Sequence, residues 1–510
     1  MMSALHAPTV RKLSGLLAGL AHVSDEQDRD IFGLSMDSRH ARAGDLFFAC
    51  VGQQAHGLHY LKDALRAGVA AVVWEPSPEH TELPPAGGGE TGVPAFAIEK
   101  LGSRIGVIAD RFYGHPSRDL CVIGITGTDG KTSCSQFLAS ALHREQVPCG
   151  VIGTLGYGLY GNLAPATHTT PDAIRLHGLL AEMRTAGARY VIMEVSSHGL
   201  EQGRVNGVDF DTAVLTNLTR DHLDYHGDQA AYANAKRRLF QAPGLRSAVL
   251  NMNDPFGLQL LKELPPAVAA VGYGLDPVQE MSGVRQVRGS ALQLSSDGFA
   301  LHVSSPWGDG ELYSRLLGRF NASNVLAVMS VLLLTGMPFD EARDQVQALR
   351  TVPGRMERFG GGTGQPLVVV DYAHTPDALR HVLTAVRGHC HGKLWCVFGC
   401  GGDRDRGKRP LMGAVAEQIA DQLVVTDDNP RTEDPDAIVA DILSGLGGPD
   451  SARVERDRAK AIEFAVREAR AGDVVLVAGK GHEDFQLVGE RRLPFSDREQ
   501  VRQLLAETRP

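Results

Sequence analysis

Apolar residues along the chain fall into short continuous runs more often than into one-sided stripes. Cys121-Val122-Ile123, with Ile125 after one glycine, is such a run, and Tyr190–Met193, Thr212–Thr216 and Val474–Val477 are others. Runs of this length bounded by turn residues predict strands buried on both faces, the habit of a parallel sheet. Longer helix-like stretches stand between them: His59–Gly68, Gln136–Leu142, Gln229–Phe240, and an apolar stretch ending at Leu334 that Asn321-Ala322-Ser323-Asn324 is expected to cap. Alternating strands and helices predict an α/β protein. Only residues 270–318 break the rhythm, with short alternating runs that suit antiparallel strands. Three units follow, residues 1–118, 119–352 and 353–510, in keeping with about three domains for 510 residues.

The stretch after the first run carries the clearest chemistry. It reads Gly127-Thr128-Asp129-Gly130-Lys131-Thr132-Ser133 and leads into the helix at Gln136. A strand, a glycine loop, Lys-Thr and a helix make a phosphate cradle. The glycines let backbone N–H groups curl round phosphates, the lysine neutralises the outer ones, and the threonine hydroxyl can reach Mg²⁺. The spacing departs from the usual P-loop by one residue, because the expected first glycine falls on Ile125 between Gly124 and Gly127. Ligands of open α/β sheets gather at the carboxyl ends of strands, and Glu194 and His222 both fall there, beside the cradle.

The third unit repeats the strand-loop-helix pattern at Leu367–Arg387, Leu394–Ala420 and Val474–Val477. Its strand ends carry Asp371-Tyr372-Ala373-His374, Gly399–Arg404, Asp427–Arg431 and Gly479–Glu483. Four polar loops at carboxyl ends predict one active-site rim. The Gly399–Gly402 run lacks the spacing of a dinucleotide fingerprint. In the first unit, Met36-Asp37-Ser38-Arg39 and Gln53-Gln54-Ala55 are polar turns that bind something or are simply solvated.

Composition narrows the setting. A net charge of −9 does not mark a nucleic-acid binder. The 7 cysteines are odd in number and scattered, which suits free thiols in a reducing cytoplasm. No secretory leader is expected, and the run Val325–Leu334 is too short to span a bilayer.

GTDGKTS, EVSSHGL, NLTRDHLDYHG, the helical AKRRLF, GRFNASN, PGRME, DYAHTP and DDNPR occur in one order over nearly the whole chain. In this the sequence resembles the Mur ligases of peptidoglycan synthesis. Two positions depart from the family pattern: Asp129 stands where asparagine is commoner, and Ser133 replaces threonine. The resemblance implies a central P-loop domain, an N-terminal domain for the UDP substrate and a Rossmann-like C-terminal domain for an incoming amino acid. It also implies ATP-dependent amide formation. The D-glutamate carboxylate of a UDP-N-acetylmuramoyl dipeptide is phosphorylated by ATP, and the amine of meso-diaminopimelate then displaces phosphate.

The same resemblance implies the site residues. Residues 127–133, Asn321, Arg355 and Asp371 contact ATP. Thr132, Glu194, His222 and a carbamylated Lys236 serve Mg²⁺, and Lys131, Glu194, His222, Lys236 and Arg355 form the catalytic set. Met36, Ser38, Gln53, Gln54, Ala55, Thr169, Thr170, Ser196, Gln202 and Arg204 contact the UDP substrate. Arg404, Asp428, Asn429, Pro430, Arg431, Gly479 and Glu483 contact diaminopimelate. Without the resemblance, Thr169-Thr170 reads equally well as a helix N-cap, Lys236 as an exposed lysine like Arg237 and Arg238, and Arg431 as a loop arginine paired with Glu433 or Asp434. Lys480 and His482 receive no role. A lysine-adding ligase of the same family and a folylpolyglutamate synthetase are the rival enzymes, and a regulatory protein that has lost ligation is the rival of another class. A monomer that closes about a hinge near Val352-Pro353-Gly354 is expected.

Overall fold

The computed structural model describes residues 10–52, 55–83, 92–219, 221–295, 297–362, 364–448 and 451–507. Gln53 and Gln54 lie outside the described residues. The chain divides into two compact units, up to Gly272 and from Tyr273 onward, a division that falls inside strand Ala269–Leu275.

The first unit opens with a parallel sheet of Gly33–Ser35, Asp45–Ala49, Ala71–Trp74 and Ala95–Ala97, in chain order. Strand Asp45–Ala49 is buried throughout, because successive side chains point to opposite faces and both faces are covered. Leu46 and Phe48 pack with Ile105, Ile108 and Phe112, whereas Phe47 and Ala49 pack with Leu58, Leu61 and Trp74.

A larger sheet follows, with Cys121–Thr126 at its centre between parallel neighbours Tyr190–Glu194 and Thr212–Leu215. Cys149–Gly153 lies beyond the first and Ser247–Asn251 beyond the second. Strand order therefore reverses at Cys121–Thr126, which places a crevice at its carboxyl end. The helix predicted from Gln136 begins earlier and runs Lys131–Leu142, with Gly130 as its N-cap at φ 83°. No side chain caps it, so its first amide groups stay directed at the loop.

The second unit begins with the antiparallel strands Arg285–Ser295, Gly298–Ser305 and Gly308–Ser314, as the alternation in 270–318 suggested. Helix Arg319–Leu334 is buried on nearly every side. Its N-cap is Gly318 at φ 90°, which corrects the expected Asn321 cap. Asn321 sits inside the first turn, where its amide donates to Leu317 O at 2.8 Å. A side chain satisfied by the preceding turn has no free N-terminal amide to accept from.

The rest of the unit is a six-stranded sheet in the order Glu357–Gly360, Leu367–Asp371, Val474–Ala478, Leu394–Phe398, Gln422–Val425 and Arg453–Val454. All pairs are parallel except the first. Alternate residues of Leu367–Val370 feed two separate cores on its faces. A hairpin, Phe485–Val488 with Arg491–Pro494, follows the last central strand.

Candidate active site

The phosphate loop of the first unit is held by its backbone. Thr128 N–H donates to Asn217 O at 3.0 Å and Asp129 N–H to Asn217 Oδ1 at 2.9 Å. Thr216 Oγ1 donates to Asp129 O at 2.6 Å. Gly127 has φ 151°, and a Cβ there would overlap Thr216 Oγ1, so only glycine lets the loop approach the neighbouring strand end. Asp129 is exposed; its main chain, not its carboxylate, builds the loop. Lys131 Nζ donates to the carbonyls of Gly127 and Thr128, each at 2.8 Å.

Glu194, at the end of strand Tyr190–Glu194, is fully buried. Its carboxylate accepts from Thr132 Oγ1 at 2.8 Å, Thr154 N at 3.0 Å, Thr154 Oγ1 at 3.0 Å and Ser135 Oγ at 3.4 Å. A Cβ on Gly153 would collide with Glu194 Oε1. This set of hard oxygen donors, one carboxylate among hydroxyls at the mouth of a phosphate loop, fits Mg²⁺ better than a softer metal. No group of three His, Cys, Asp or Glu able to hold a metal occurs among the described residues.

Lys236 lies on helix Gln229–Phe240 and is only 1% exposed. Its Nζ donates to Gly127 O at 2.8 Å and stands 4.3 Å from the centroid of the Tyr232 ring. Burial, together with the nearby Lys131 ammonium, holds its amine well below the ordinary lysine range. Tyr232 OH is 3.2 Å from Thr128 Oγ1, and His222, at φ 52°, packs edge-on against the Tyr232 and His198 rings.

A polar cluster continues from Glu194. Thr154 Oγ1 is 3.1 Å from Thr169 Oγ1. Thr170 Oγ1 lies 2.9 Å from Glu194 O and 3.1 Å from Ser196 Oγ. Arg204 donates to Thr170 O at 2.8 Å and through Nε to Gln202 Oε1 at 2.9 Å.

In the second unit the four polar loops leave neighbouring parallel strands at the same end. Asp371 is buried, and burial pushes its carboxyl up while Arg355 opposes the shift. Its two oxygens accept from Met356 N and Ala373 N, each at 2.8 Å, pinning the Gly354–Met356 loop. Arg355 stacks 4.9 Å from the Tyr372 centroid. Arg431 has φ 52°; its N–H donates to Leu487 O at 3.0 Å, its carbonyl accepts from Gly489 N at 2.7 Å, and its guanidinium donates to Gly402 O at 2.8 Å. Asn429 Nδ2 donates to Glu483 Oε2 at 3.0 Å. Asp428 is buried beside Gly479, where a Cβ would crowd Asp428 Oδ2.

Comparison with known proteins bears directly on these two constellations. The Mur ligase catalytic-domain signature matches residues 30–113, the Mur ligase middle domain 125–332, and the glutamate ligase domain of Mur ligases 354–481. The chain belongs to the Mur ligase family. It is 53% identical over 500 residues to the UDP-N-acetylmuramoyl-L-alanyl-D-glutamate–2,6-diaminopimelate ligase of Alkalilimnicola ehrlichii, covering 97% of this chain and 99% of that one. A solved structure of an enzyme with that name is 37% identical, with a TM-score of 0.71 over 94% of this chain and 96% of the other. A folylpolyglutamate synthase of Mycobacterium tuberculosis complexed with ADP is 23% identical, with a TM-score of 0.57 over 74% of this chain and 91% of the other, which shows a shared fold.

Against this Mur ligase fold the expected residues separate cleanly. Thr132 and Glu194 touch directly, Lys131 and Lys236 share the Gly127 carbonyl, and His222 reaches the cradle through Tyr232. Thr169, Thr170, Ser196, Gln202 and Arg204 form one contiguous cluster. Thr170 does not cap the following helix, whose N-cap is Asp172 accepting from Arg175 N at 3.0 Å. Met36 is exposed, and Ser38 and Ala55 are half-buried in turns of the first sheet's rim. Arg404 is exposed at the four-loop rim. Arg431 is not paired with Glu433, which binds Arg409 and Arg406 instead. One residue without an expected role, Lys480, is fully buried among the rim residues. Its signal in the sequence is a lysine between two glycines immediately after a buried strand.

Proposed function

We propose that this Mur ligase is an ATP-dependent enzyme that joins meso-diaminopimelate to UDP-N-acetylmuramoyl-L-alanyl-D-glutamate, releasing ADP and phosphate in the making of peptidoglycan precursors. The observation that carries the choice of amino acid is Arg431. Its backbone is locked on both sides by the hairpin, and its guanidinium is oriented by Gly402 O. A planar guanidinium suits the second carboxylate of diaminopimelate, which lysine lacks. The 53% identity to a ligase named for that amino acid supports the same reading.

In the first step the D-glutamate carboxylate attacks the γ-phosphorus of ATP, giving an acyl phosphate and ADP. In the second, the amine of diaminopimelate attacks the acyl carbon, the bond from that carbon to the phosphate oxygen breaks, and the proton lost from nitrogen leaves with the phosphate. Both steps gather negative charge on oxygen, so cations fixed before the reaction lower the barrier. The loop 127–133 receives the phosphates on backbone amides, and Lys131 exchanges its carbonyl bonds for phosphate oxygens. Thr132, Glu194, His222 and Lys236 are the proposed holders of Mg²⁺. When bound, Mg²⁺ supplies charge neutralisation and alignment of phosphate oxygens.

Burial, and after it the Lys131 ammonium, disfavours the charged form of the Lys236 amine. Attack of neutral Nζ on CO₂ forms an N–C bond, releases a proton and leaves an anionic carbamate in place of a repelling cation. Asn321, Arg355 and Asp371 are proposed nucleotide contacts; Met36, Ser38, Gln53, Gln54 and Ala55, with the Thr169–Arg204 cluster, are proposed for the UDP substrate. Arg404, Asp428–Arg431, Gly479 and Glu483 are proposed for diaminopimelate. The domains are proposed as 1–118, 119–352 and 353–510, supported by the three matched segments. The enzyme is proposed to work as a cytoplasmic monomer; no helix among the described residues is long and apolar enough to cross a membrane.

The test is phosphate release from ATP with each substrate omitted in turn. Release that requires both the UDP-dipeptide and meso-diaminopimelate is expected. Equal kcat/KM with L-lysine overturns the choice of amino acid, and release with neither substrate overturns the ligase.

A further inference from the structure

Lys480 stands between Gly479 and Gly481, at φ 120° and 54°, just past the strand Val474–Ala478. The two glycines turn the chain so that the lysine folds inward, and its side chain is 0% exposed. Nζ donates to Asn429 Oδ1 at 3.0 Å and to Glu483 Oε2 at 2.8 Å. Asn429 Nδ2 closes the triangle on the same Oε2 at 3.0 Å. Asn429 Oδ1 also accepts from Leu487 N at 2.9 Å, and the carbonyl of Leu487 is the group that holds Arg431 N at 3.0 Å. One buried ammonium thus ties together a carboxylate, a carboxamide and the hairpin that fixes an arginine.

An apolar side chain would fill this space at lower cost, since burying an ion pair returns little stability over a hydrophobic isostere. What the charge adds is orientation. Both side-chain bonds of Glu483 end on Oε2, so among the described residues Oε1 carries no hydrogen bond. The carboxylate is thereby held in one rotamer with one oxygen available to a cation. An ammonium group on the incoming diamino acid is such a cation.

We propose that Lys480 is a positioning residue of the amino-acid subsite: it locks Glu483 and Asn429 so that Glu483 Oε1 receives an ammonium of the diamino acid. This rests on the ligase reading above. It assigns Lys480 no contact with ATP or with the UDP-dipeptide, and so separates it from a residue that merely supports the fold.

The experiment compares steady-state kinetics of the full-length protein and Lys480→Met, varying each of the three substrates in turn. The expected result is a KM for meso-diaminopimelate raised at least tenfold, with the KM values for ATP and UDP-dipeptide within twofold. In a Glu483→Gln background the same substitution is expected to cost no more than threefold, because the group it orients is already lost. Equal changes in all three KM values, or effects that multiply in the double variant, overturn the proposal. Should Lys480→Met fail to fold, Lys480→Gln, which can still donate one hydrogen bond, carries the same cycle. An unmodified chain that turns over no diaminopimelate overturns the ligase reading itself. Normal turnover with the Lys480→Met KM values unmoved overturns only the role of Lys480.

Discussion

The phosphate loop of the first unit and the four-loop rim of the second each bury a lysine beside a glycine, and the two lysines have opposite surroundings. Lys236 meets a carbonyl, an aromatic face and, nearby, the ammonium of Lys131. Lys480 meets a carboxylate and a carboxamide oxygen. Burial disfavours the charge of Lys236 and the Lys131 ammonium adds to it, whereas the ammonium of Lys480 has a carboxylate within hydrogen-bond reach. The surroundings of the first suit the proposed chemistry on its nitrogen, and those of the second suit the proposed positioning role. Burial of a lysine alone therefore says little about its role; the sign of its neighbours decides.

The largest expected effect breaks the first half of that comparison. Lys236→Ala is expected to lose ligation by roughly a thousandfold or more, since it removes the proposed carbamate oxygen from the proposed Mg²⁺ site. Short carboxylates added in solution are expected to restore part of it, and steady-state kcat with and without acetate is the measurement. Next comes Gly153→Ala, which drives a methyl group into Glu194 Oε1. A displaced carboxylate should cost about a hundredfold in kcat while KM for diaminopimelate stays put; an unchanged kcat speaks against a working Glu194. Third, Arg431→Ala should erase at least about tenfold of the preference for diaminopimelate over lysine, because hydrogen bonds to charged groups are worth ~1.5–3 kcal/mol each. Competing-substrate ligation reads it directly.

The smallest effect sharpens the electrostatic claim. A lysine whose folded-state amine is depressed binds fewer protons folded than unfolded at neutral pH, so it favours the unfolded chain there. The penalty is present below the folded-state value and fades as pH rises toward the unfolded ~10.4. In CO₂-free buffer, Lys236→Met should melt higher than the unmodified protein at neutral pH, by roughly 2–4 °C for each kcal/mol relieved. The gap should narrow as pH approaches 10. Calorimetry across that range checks the sign.

Much of the cradle was legible because its parts are contiguous. Gly127 and Gly130 sit in the loop, with Lys131 and Thr132 in the first turn of the helix that follows, and a buried strand ahead of them announces where they lie. The buried state of Lys236 was less visible, since Arg237 and Arg238 beside it read as a solvated face. Its helical partners Tyr232, Leu239 and Phe240 are buried with it, a spacing that signals an inward stripe only once the helix phase is known. The rim was legible as four loops at strand ends, but not as a network. Asn429 follows one strand of the sheet, whereas Lys480 and Leu487 follow another, Leu487 within the hairpin strand Phe485–Val488; they meet because Val474–Ala478 is inserted between Leu367–Asp371 and Leu394–Phe398. Asn321 was misread as a cap because Gly318 begins the helix one turn earlier in the chain.

The contrast between the two lysines is tested most directly by ¹³C NMR of the protein equilibrated with ¹³CO₂, alongside Lys236→Met and Lys480→Met. One protein-bound carbamate resonance is expected in the unmodified chain, retained in Lys480→Met and absent in Lys236→Met. No such resonance in the unmodified chain, or one that survives Lys236→Met, contradicts the account.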